Sequence, residues 1–436
     1  MNNRTRQVVS LASRVVGAAL QVAVVVVVGR LLGSDVLGRY LVFQAAVRLA
    51  GTVVGWGHPW YVLRTVSELD EVGQAEDARH VFTSSIRAQL RLITIATAIA
   101  VPYLVWSTWT GRGPVAATVA WSGLAGIAGF AVTAVASFGL KARMRQPMAL
   151  FLEFSVVPLA VAGAAIAARG QSDPTALAWL TIAHGASALA VAAVGVALFG
   201  RTSAPPADPA PAARVAVDAV PRADLSDRGA VRSRLAFGST NVVNMIGQNV
   251  PALLLALVLP FSQVGQLGAV LRLTAIPGTF AVGLTSVYGP RFAKLWVNRD
   301  RRGLRSTLRE TQIWMTGLYI PFAVAFVLVP DLVTDQLGAD FEGSAVALRI
   351  MGLGQLVNAL TGQAPMMLSM CRDEVQALVR MAVGVALSLV LSLLGALLWD
   401  VEGAAVGLAI GLAIQNLAMW VRARSLVDEP GEHATT

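Results

Sequence analysis

Three arginines stand inside apolar runs of this chain, and they are its first chemical signal. Arg48 lies in "YLVFQAAVRLAGTVVGWG", Arg272 in "VGQLGAVLRLTAIPGTFAVGL" and Arg349 in "GSAVALRIMGLGQLVNAL". A guanidinium at the centre of a bilayer costs about 2.5–3.5 kcal/mol on insertion scales, so Arg48 and Arg272 are expected to face a bundle interior or a watery cavity. Arg349 is close enough to a helix end to snorkel outward instead. Amides accompany them. Gln44 is one turn from Arg48, and Gln355 and Asn358 follow Arg349. In "FGSTNVVNMIGQNVPALLL", Asn241, Asn244 and Gln248 fall at i, i+3 and i+7 and form one polar face. Arg14 and Gln21, seven apart, share a face as well. Arginine forks hold phosphate and carboxylate oxygens, and amides suit sugar hydroxyls. A cavity lined this way takes an anion. Buried amides also serve simply to bond one helix to another.

Glu153 is the one acid the sequence places inside, and two roles are open to it: neutralising an arginine or binding a coupling cation. His184, in "LAWLTIAHGASALAV", reads as a packed side chain before a proton relay. Other chemistry is missing. Neither lysine, Lys141 or Lys294, follows a glycine, so a phosphate-binding P-loop is excluded. HExxH and GxSxG do not occur. The four histidines, His58, His80, His184 and His433, are scattered and suggest no metal site. Cys371 is the single cysteine, which rules out an intrachain disulfide. We expect no catalytic residues, no metal and no cofactor: the chain is built for moving something and not for making it.

The elements that carry these residues are membrane spans. Of 436 residues, 56% are hydrophobic and only 14% charged, where a soluble domain carries roughly a quarter. Apolar stretches near the length needed to cross a bilayer recur throughout. Twelve are expected, at 10–31, 38–57, 86–107, 114–138, 147–168, 175–199, 235–259, 265–288, 311–331, 343–369, 375–398 and 403–422. With the N-terminus inside, the inner segments hold 23 Lys/Arg and the outer side four, Arg112 and Arg169 in loops and Arg30 and Arg39 at outer span ends, which predicts both termini cytoplasmic. That bias also accounts for the net charge of +9 without nucleic acid as a partner. Residues 201–234, Pro/Ala-rich and without apolar period, read as a disordered cytoplasmic linker. The expected organisation is a six-helix lobe over 1–200, the linker 201–234, a second six-helix lobe over 235–422 and a cytoplasmic tail over 423–436.

The two lobes read as repeats. "LLGSDVLGRYLVFQAAVRLAGTVVGWGHPWYVLR" and "VLPFSQVGQLGAVLRLTAIPGTFAVGLTSVYGPRFAK" each run from a polar turn through a glycine to an apolar helix with one arginine, then a proline and a basic residue. "LKARMRQPMALFLEF" and "LSMCRDEVQALVRMA" form a second, weaker pair. An even number of spans per half makes this a parallel repeat, with a central cavity between two pseudo-symmetric lobes.

These residues carry a resemblance. "GRLLGSDVLGRYLVFQAAVRLAGTVVGWG", "VGQLGAVLRLTAIPGTFAVGLTSVYGPRFAKL" and "VEGAAVGLAIGLAI" resemble the first two spans, the eighth span and the opening of the last span of Wzx-type polysaccharide and O-antigen flippases, in the multidrug/oligosaccharidyl-lipid/polysaccharide (MOP) exporter superfamily. The resemblance implies an all-α membrane protein of MOP/MATE-like fold in the bacterial inner membrane. It implies translocation of an undecaprenyl-pyrophosphate-linked anionic oligosaccharide by alternating access, for polysaccharide biosynthesis. Membrane lipids, a glycan polymerase and glycosyltransferases would be its partners. The family's arginine-lined cavity maps onto Arg48 and Arg272, then Arg349. Three rival readings stand beside this one: a cation-coupled multidrug exporter of the same superfamily, which would need acids in the cavity; a membrane glycan polymerase or ligase, which would need larger outer loops; and a non-catalytic membrane scaffold in a glycan assembly complex, in which the arginines would be buried ion pairs.

Overall fold

The structure, a computed structural model, describes residues 3–109, 113–202 and 228–428. The expected disordered linker falls largely outside the described residues, as does the tail beyond residue 428. Among the described residues every regular element is helical. The helices are α1 (Asn3–Gly55), α2 (His58–Glu71), α3 (Ala75–Trp109), α4 (Gly113–Ala142), α5 (Gln146–Phe154), α6 (Val156–Ala167), α7 (Asp173–Arg201), α8 (Arg228–Leu255), α9 (Phe261–Thr274), α10 (Ile276–Val297), α11 (Arg301–Leu328), α12 (Pro330–Thr334), α13 (Ala345–Thr361), α14 (Ala364–Met370) and α15 (Glu374–Asp428). A 3-10 turn, Ala339–Ser344, precedes α13.

Seven helical stretches among these residues are long and apolar enough to cross a membrane. Several of the twelve expected spans share one run. The first two lie on α1, which leaves helical geometry at Gly33 (φ 85, ψ 171). The last two lie on the 55-residue α15, which breaks at Trp399 and Asp400. The eighth is divided between α9 and α10 at Ala275, where Pro277 opens the new helix.

The chain forms two compact units, Met1–Leu32 with Arg39–Met245, and Gly33–Gly38 with Ile246–Thr436. In the first, α2 turns Tyr61, Val62, Val66 and Leu69 onto Val81 and Phe82 of α3, Val135 and Leu140 of α4, and Phe199 of α7. Phe82 and Phe199 stack with centroids 3.7 Å apart. Beside this core Arg143, in the turn after α4, ties three elements. Its Nε donates to Asp70 Oδ2 on α2 at 3.0 Å, and its Nη1 donates to the carbonyls of Phe199 (3.2 Å) and Thr202 (2.5 Å) at the end of α7. Both charged side chains are buried, at 1% and 3% exposure.

In the second unit Phe292, Leu304, Leu308, Met367, Leu368, Cys371 and Ala423 join α10, α11, α14 and α15. Asp300 caps α11 by accepting from Gly303 N at 2.8 Å. The arms of α15 fold back on each other through small residues. A Cβ on Gly395 would lie 2.0 Å from the carbonyl oxygen of Gly403, and one on Gly407 would meet Leu391 and Ser392 backbone at 2.3 Å. Gly403, Gly407 and Gly411 are spaced four apart, so one glycine edge serves the whole contact. The segment of α1 in this unit makes a similar approach to α9: a Cβ on Gly38 would lie 1.8 Å from Phe261 O.

The units share turn chemistry. Met144, after α4, and Arg372, after α14, both adopt positive φ (58° and 61°). The following amides, Arg145 N and Asp373 N, each bond back five residues, to Leu140 O and Leu368 O, at 2.9 Å. Gly73 and Arg299 (φ 80° and 55°) do the same for Gln74 N to Leu69 O and Asp300 N to Leu295 O. This is the helix-terminating bond that satisfies orphan carbonyls.

Candidate substrate-binding residues

In the first unit the second arm of α1 carries Tyr40, Gln44, Arg48 and Thr52, each four residues apart on one stripe. Tyr40 is 1% exposed. Its hydroxyl is 3.0 Å from His184 Nδ1 on α7 and accepts from Gln44 Nε2 at 3.4 Å. His184 is buried, edge-on to the rings of Tyr40 and Phe43. Arg48 is half-buried, and Thr52 Oγ1 donates to its carbonyl at 2.8 Å. The stripe thus sets a guanidinium, an amide and a phenol along one side of α1, with an imidazole of α7 bonded to the phenol.

Glu153, on α5, accepts from Lys141 Nζ at 2.6 Å and Ser137 Oγ at 2.9 Å. Its ionic partner is a lysine at the end of α4. Arg14 is half-buried on the first arm of α1. On α8, Asn241 is half-buried and Asn244 and Gln248 are exposed; Gln248 already belongs to the second unit.

In the second unit Arg272 is half-buried in the last turn of α9, just before the break at Ala275. A cation there complements the negative end of the helix dipole. Arg349 is 46% exposed and its Nη2 is 3.6 Å from Asp331 Oδ2, itself 71% exposed. That is a solvent-facing pair of small energetic weight. Asn358 Nδ2 donates to Gln355 Oε1 at 3.1 Å, so these two amides are bonded to each other on α13.

Two features were not foreseen from the sequence. Asp70 is a second interior acid, more buried than Glu153; its place among the exposed acids Glu68, Glu71, Glu76 and Asp77 of an expected loop hid it, because solvent is the default for loop carboxylates. Gln363 is buried and collects α10 and α11: its Nε2 donates to Ala281 O at 3.4 Å, its Oε1 accepts from Thr285 Oγ1 at 3.2 Å, and its backbone N donates to Thr311 Oγ1 at 3.3 Å. The signal for it was Gly362 beside it, whose φ of 63° places the turn. Outside the spans, Cys371 packs into the second core, where burial pushes its thiol up to about 12; Asp373 adds to the rise and Arg301 opposes it. Among the described residues no cluster of His, Cys, Asp and Glu could hold a metal.

No protein-family model and no curated protein matches the chain. Solved structures do. A multidrug-resistance MATE family transporter of the MOP superfamily in an inward-facing conformation superposes with a TM-score of 0.68 at 13% identity, over 98% of this chain and 100% of its own. The lipid II flippase MurJ, in an inward closed conformation, gives 0.72 at 12% identity, over 97% and 88%. A MOP superfamily transporter from Pyrococcus furiosus, for which reversed polarity of the binding pocket suggests a different function, gives 0.64 at 12% identity, over 98% and 96%. At such identities the likeness is one of fold: this chain has the fold of the MOP-superfamily transporters and flippases.

Proposed function

We propose that the chain is an inner-membrane flippase that moves a lipid-linked, anionic oligosaccharide of the undecaprenyl-pyrophosphate type by alternating access of two six-helix lobes, with both termini cytoplasmic. The observation that supports this reading is half-buried Arg48 on the Tyr40–Gln44–Arg48 stripe of α1, a guanidinium one turn from an amide within an apolar run, with the Tyr40–His184 bond fixing the stripe against α7. Arg48 in the first unit and Arg272 in the second are assigned to pyrophosphate or acidic sugar oxygens. Asn241, Asn244 and Gln248 are assigned to sugar hydroxyls. Arg349 has Asp331 beside it and takes a lesser part.

Charge separates this reading from export of cationic drugs. Drug export would draw on a carboxylate in the pathway, and Glu153 is already engaged by Lys141 and Ser137. The decisive experiment measures surface glycan in cells carrying Arg48→Ala, Arg272→Ala or both, at matched protein levels. Loss of export with lipid-linked intermediate accumulating on the inner leaflet is expected. Undiminished export in the double variant refutes the site. Raised drug susceptibility of a deletion strain with normal glycan refutes the substrate class. Repeat units already outside but unpolymerised would favour the polymerase reading.

A further inference from the structure

A second cationic surface lies far along the chain from the stripe, where α11 meets the end of α15. Helix α11 has two clean faces at 3.6 residues per turn. Leu304, Leu308, Met315, Tyr319 and Phe326 are buried. On the opposite face Arg302, Arg305 and Arg309 are exposed, followed by exposed Ile313, Ile320 and Val324. The change from guanidinium to aliphatic side chain takes one turn, between Arg309 and Ile313. On a helix apolar enough to span a bilayer, that turn marks the level where headgroups give way to acyl chains.

The final arm of α15 ends where α11 begins: Arg301 Nη1 donates to Leu426 O at 2.5 Å and Arg305 pairs with Asp428. In the proposed topology α11 leaves the cytoplasmic side and the final arm of α15 returns to it, so the two run antiparallel. One turn inward from the Arg305–Asp428 pair, each helix presents another exposed arginine, Arg309 on α11 and Arg424 on α15. The Arg424 guanidinium lies 4.0 Å over the Trp420 ring. Among the described residues, three acids at these helix ends are taken, and none is paired with Arg309 or Arg424: Glu310 accepts from Arg291 (2.7 Å) and Tyr288 (2.8 Å), Asp373 from Arg422 (2.6 Å), and Asp300 caps its own helix. Arg309 and Arg424 are therefore surplus positive charge. A turn further in on the same faces stand exposed Ile313 of α11 and Val421 and Leu417 of α15.

We propose that the seam between α11 and α15 binds an anionic phospholipid of the bilayer, its phosphate between Arg309 and Arg424 and an acyl chain along Ile313, Val421 and Leu417. A diester phosphate carries the charge the two forks lack, and only a lipid brings the hydrocarbon that the wall above them fits. The inference rests on α11 and α15 spanning the membrane and is independent of the transported substrate.

Native mass spectrometry of the full-length protein in detergent, titrated with phosphatidylglycerol or phosphatidylcholine of the same chains, tests it. Wild type is expected to retain phosphatidylglycerol preferentially. Arg309→Gln with Arg424→Gln should weaken that retention on the order of tenfold, from loss of two arginine–headgroup contacts, while Arg309→Lys with Arg424→Lys keeps most of it. A control of equal charge change, Arg87→Gln with Arg91→Gln on exposed positions of α3, should retain the lipid as wild type does. Equal retention of the two lipids, an unaffected Arg309/Arg424 variant, or an equal loss in the control overturns the proposal. Should the Gln variant not fold, brominated phosphatidylglycerol is used on wild type and Trp420→Phe. Stronger quenching than by brominated phosphatidylcholine, present only when Trp420 is there, supports the site, and no such difference overturns it.

Discussion

Asp70→Ala removes one partner of the buried pair that closes the first unit. Arg143 would remain 1% exposed with its charge uncompensated, and stranding a buried charge costs about 3–5 kcal/mol. The guanidinium keeps its bonds to the Phe199 and Thr202 carbonyls and its place 4.1 Å from the Phe199 ring, which sets the expectation at the low end, about 3 kcal/mol. For a unit of this size, one kcal/mol corresponds to about 2–4 °C, so the apparent Tm should fall by roughly 6–12 °C. Thermal unfolding of purified protein, followed as the loss of the monodisperse size-exclusion peak after heating, measures it. Asp70→Ala with Arg143→Met should recover much of the loss, because replacing both ions with apolar bulk is near neutral. A single variant melting within about 2 °C of wild type, or a double variant no better than the single, refutes the reasoning that this pair holds α2, α4 and α7 together.

Other outcomes follow from local geometry. Gly403→Val places a side chain where a Cβ alone would lie 2.0 Å from Gly395 O; the arms of α15 must part, and folded yield should collapse, whereas Gly163→Ala, with nothing within 4 Å, should be tolerated. Cys371 should resist maleimide at neutral pH in the folded protein and label rapidly once denatured, because its thiol is buried and pushed up to about 12. The same shift has a sign in stability. Above pH about 9 the unfolded chain loses the thiol proton while the folded chain keeps it, so stability should decline from there towards pH 12, and Cys371→Ser should flatten that decline. Gln363→Leu should lower the melting temperature by removing the side-chain bonds that tie the turn before α14 to α10, while its backbone bond to Thr311 of α11 stays; Gln363→Asn should lose less, but not regain wild type, because the shorter amide cannot reach both Ala281 O and Thr285 Oγ1.

Much was legible in the residues themselves. Apolar length marked the membrane class, because a bilayer demands about twenty residues per crossing whatever surrounds them. The isolated arginines and amides marked candidate function, because their insertion cost is a property of the side chain. The repeated turn after α4 and α14 was visible as "LKARMRQPM" and "LSMCRDEVQ", since helix stops are written locally, and the structure puts Met144 and Arg372 in the same left-handed conformation there. Tertiary structure decided what each polar group answers to. Glu153 could meet an arginine or a cation by sequence, and the fold brings Lys141 to it. His184 meets Tyr40 across 144 residues of chain, and Asp70 meets Arg143 from another helix. Sequence spacing sets which residues share a face; which face meets which is set by packing of distant helices, and a buried charge takes whatever partner that packing delivers.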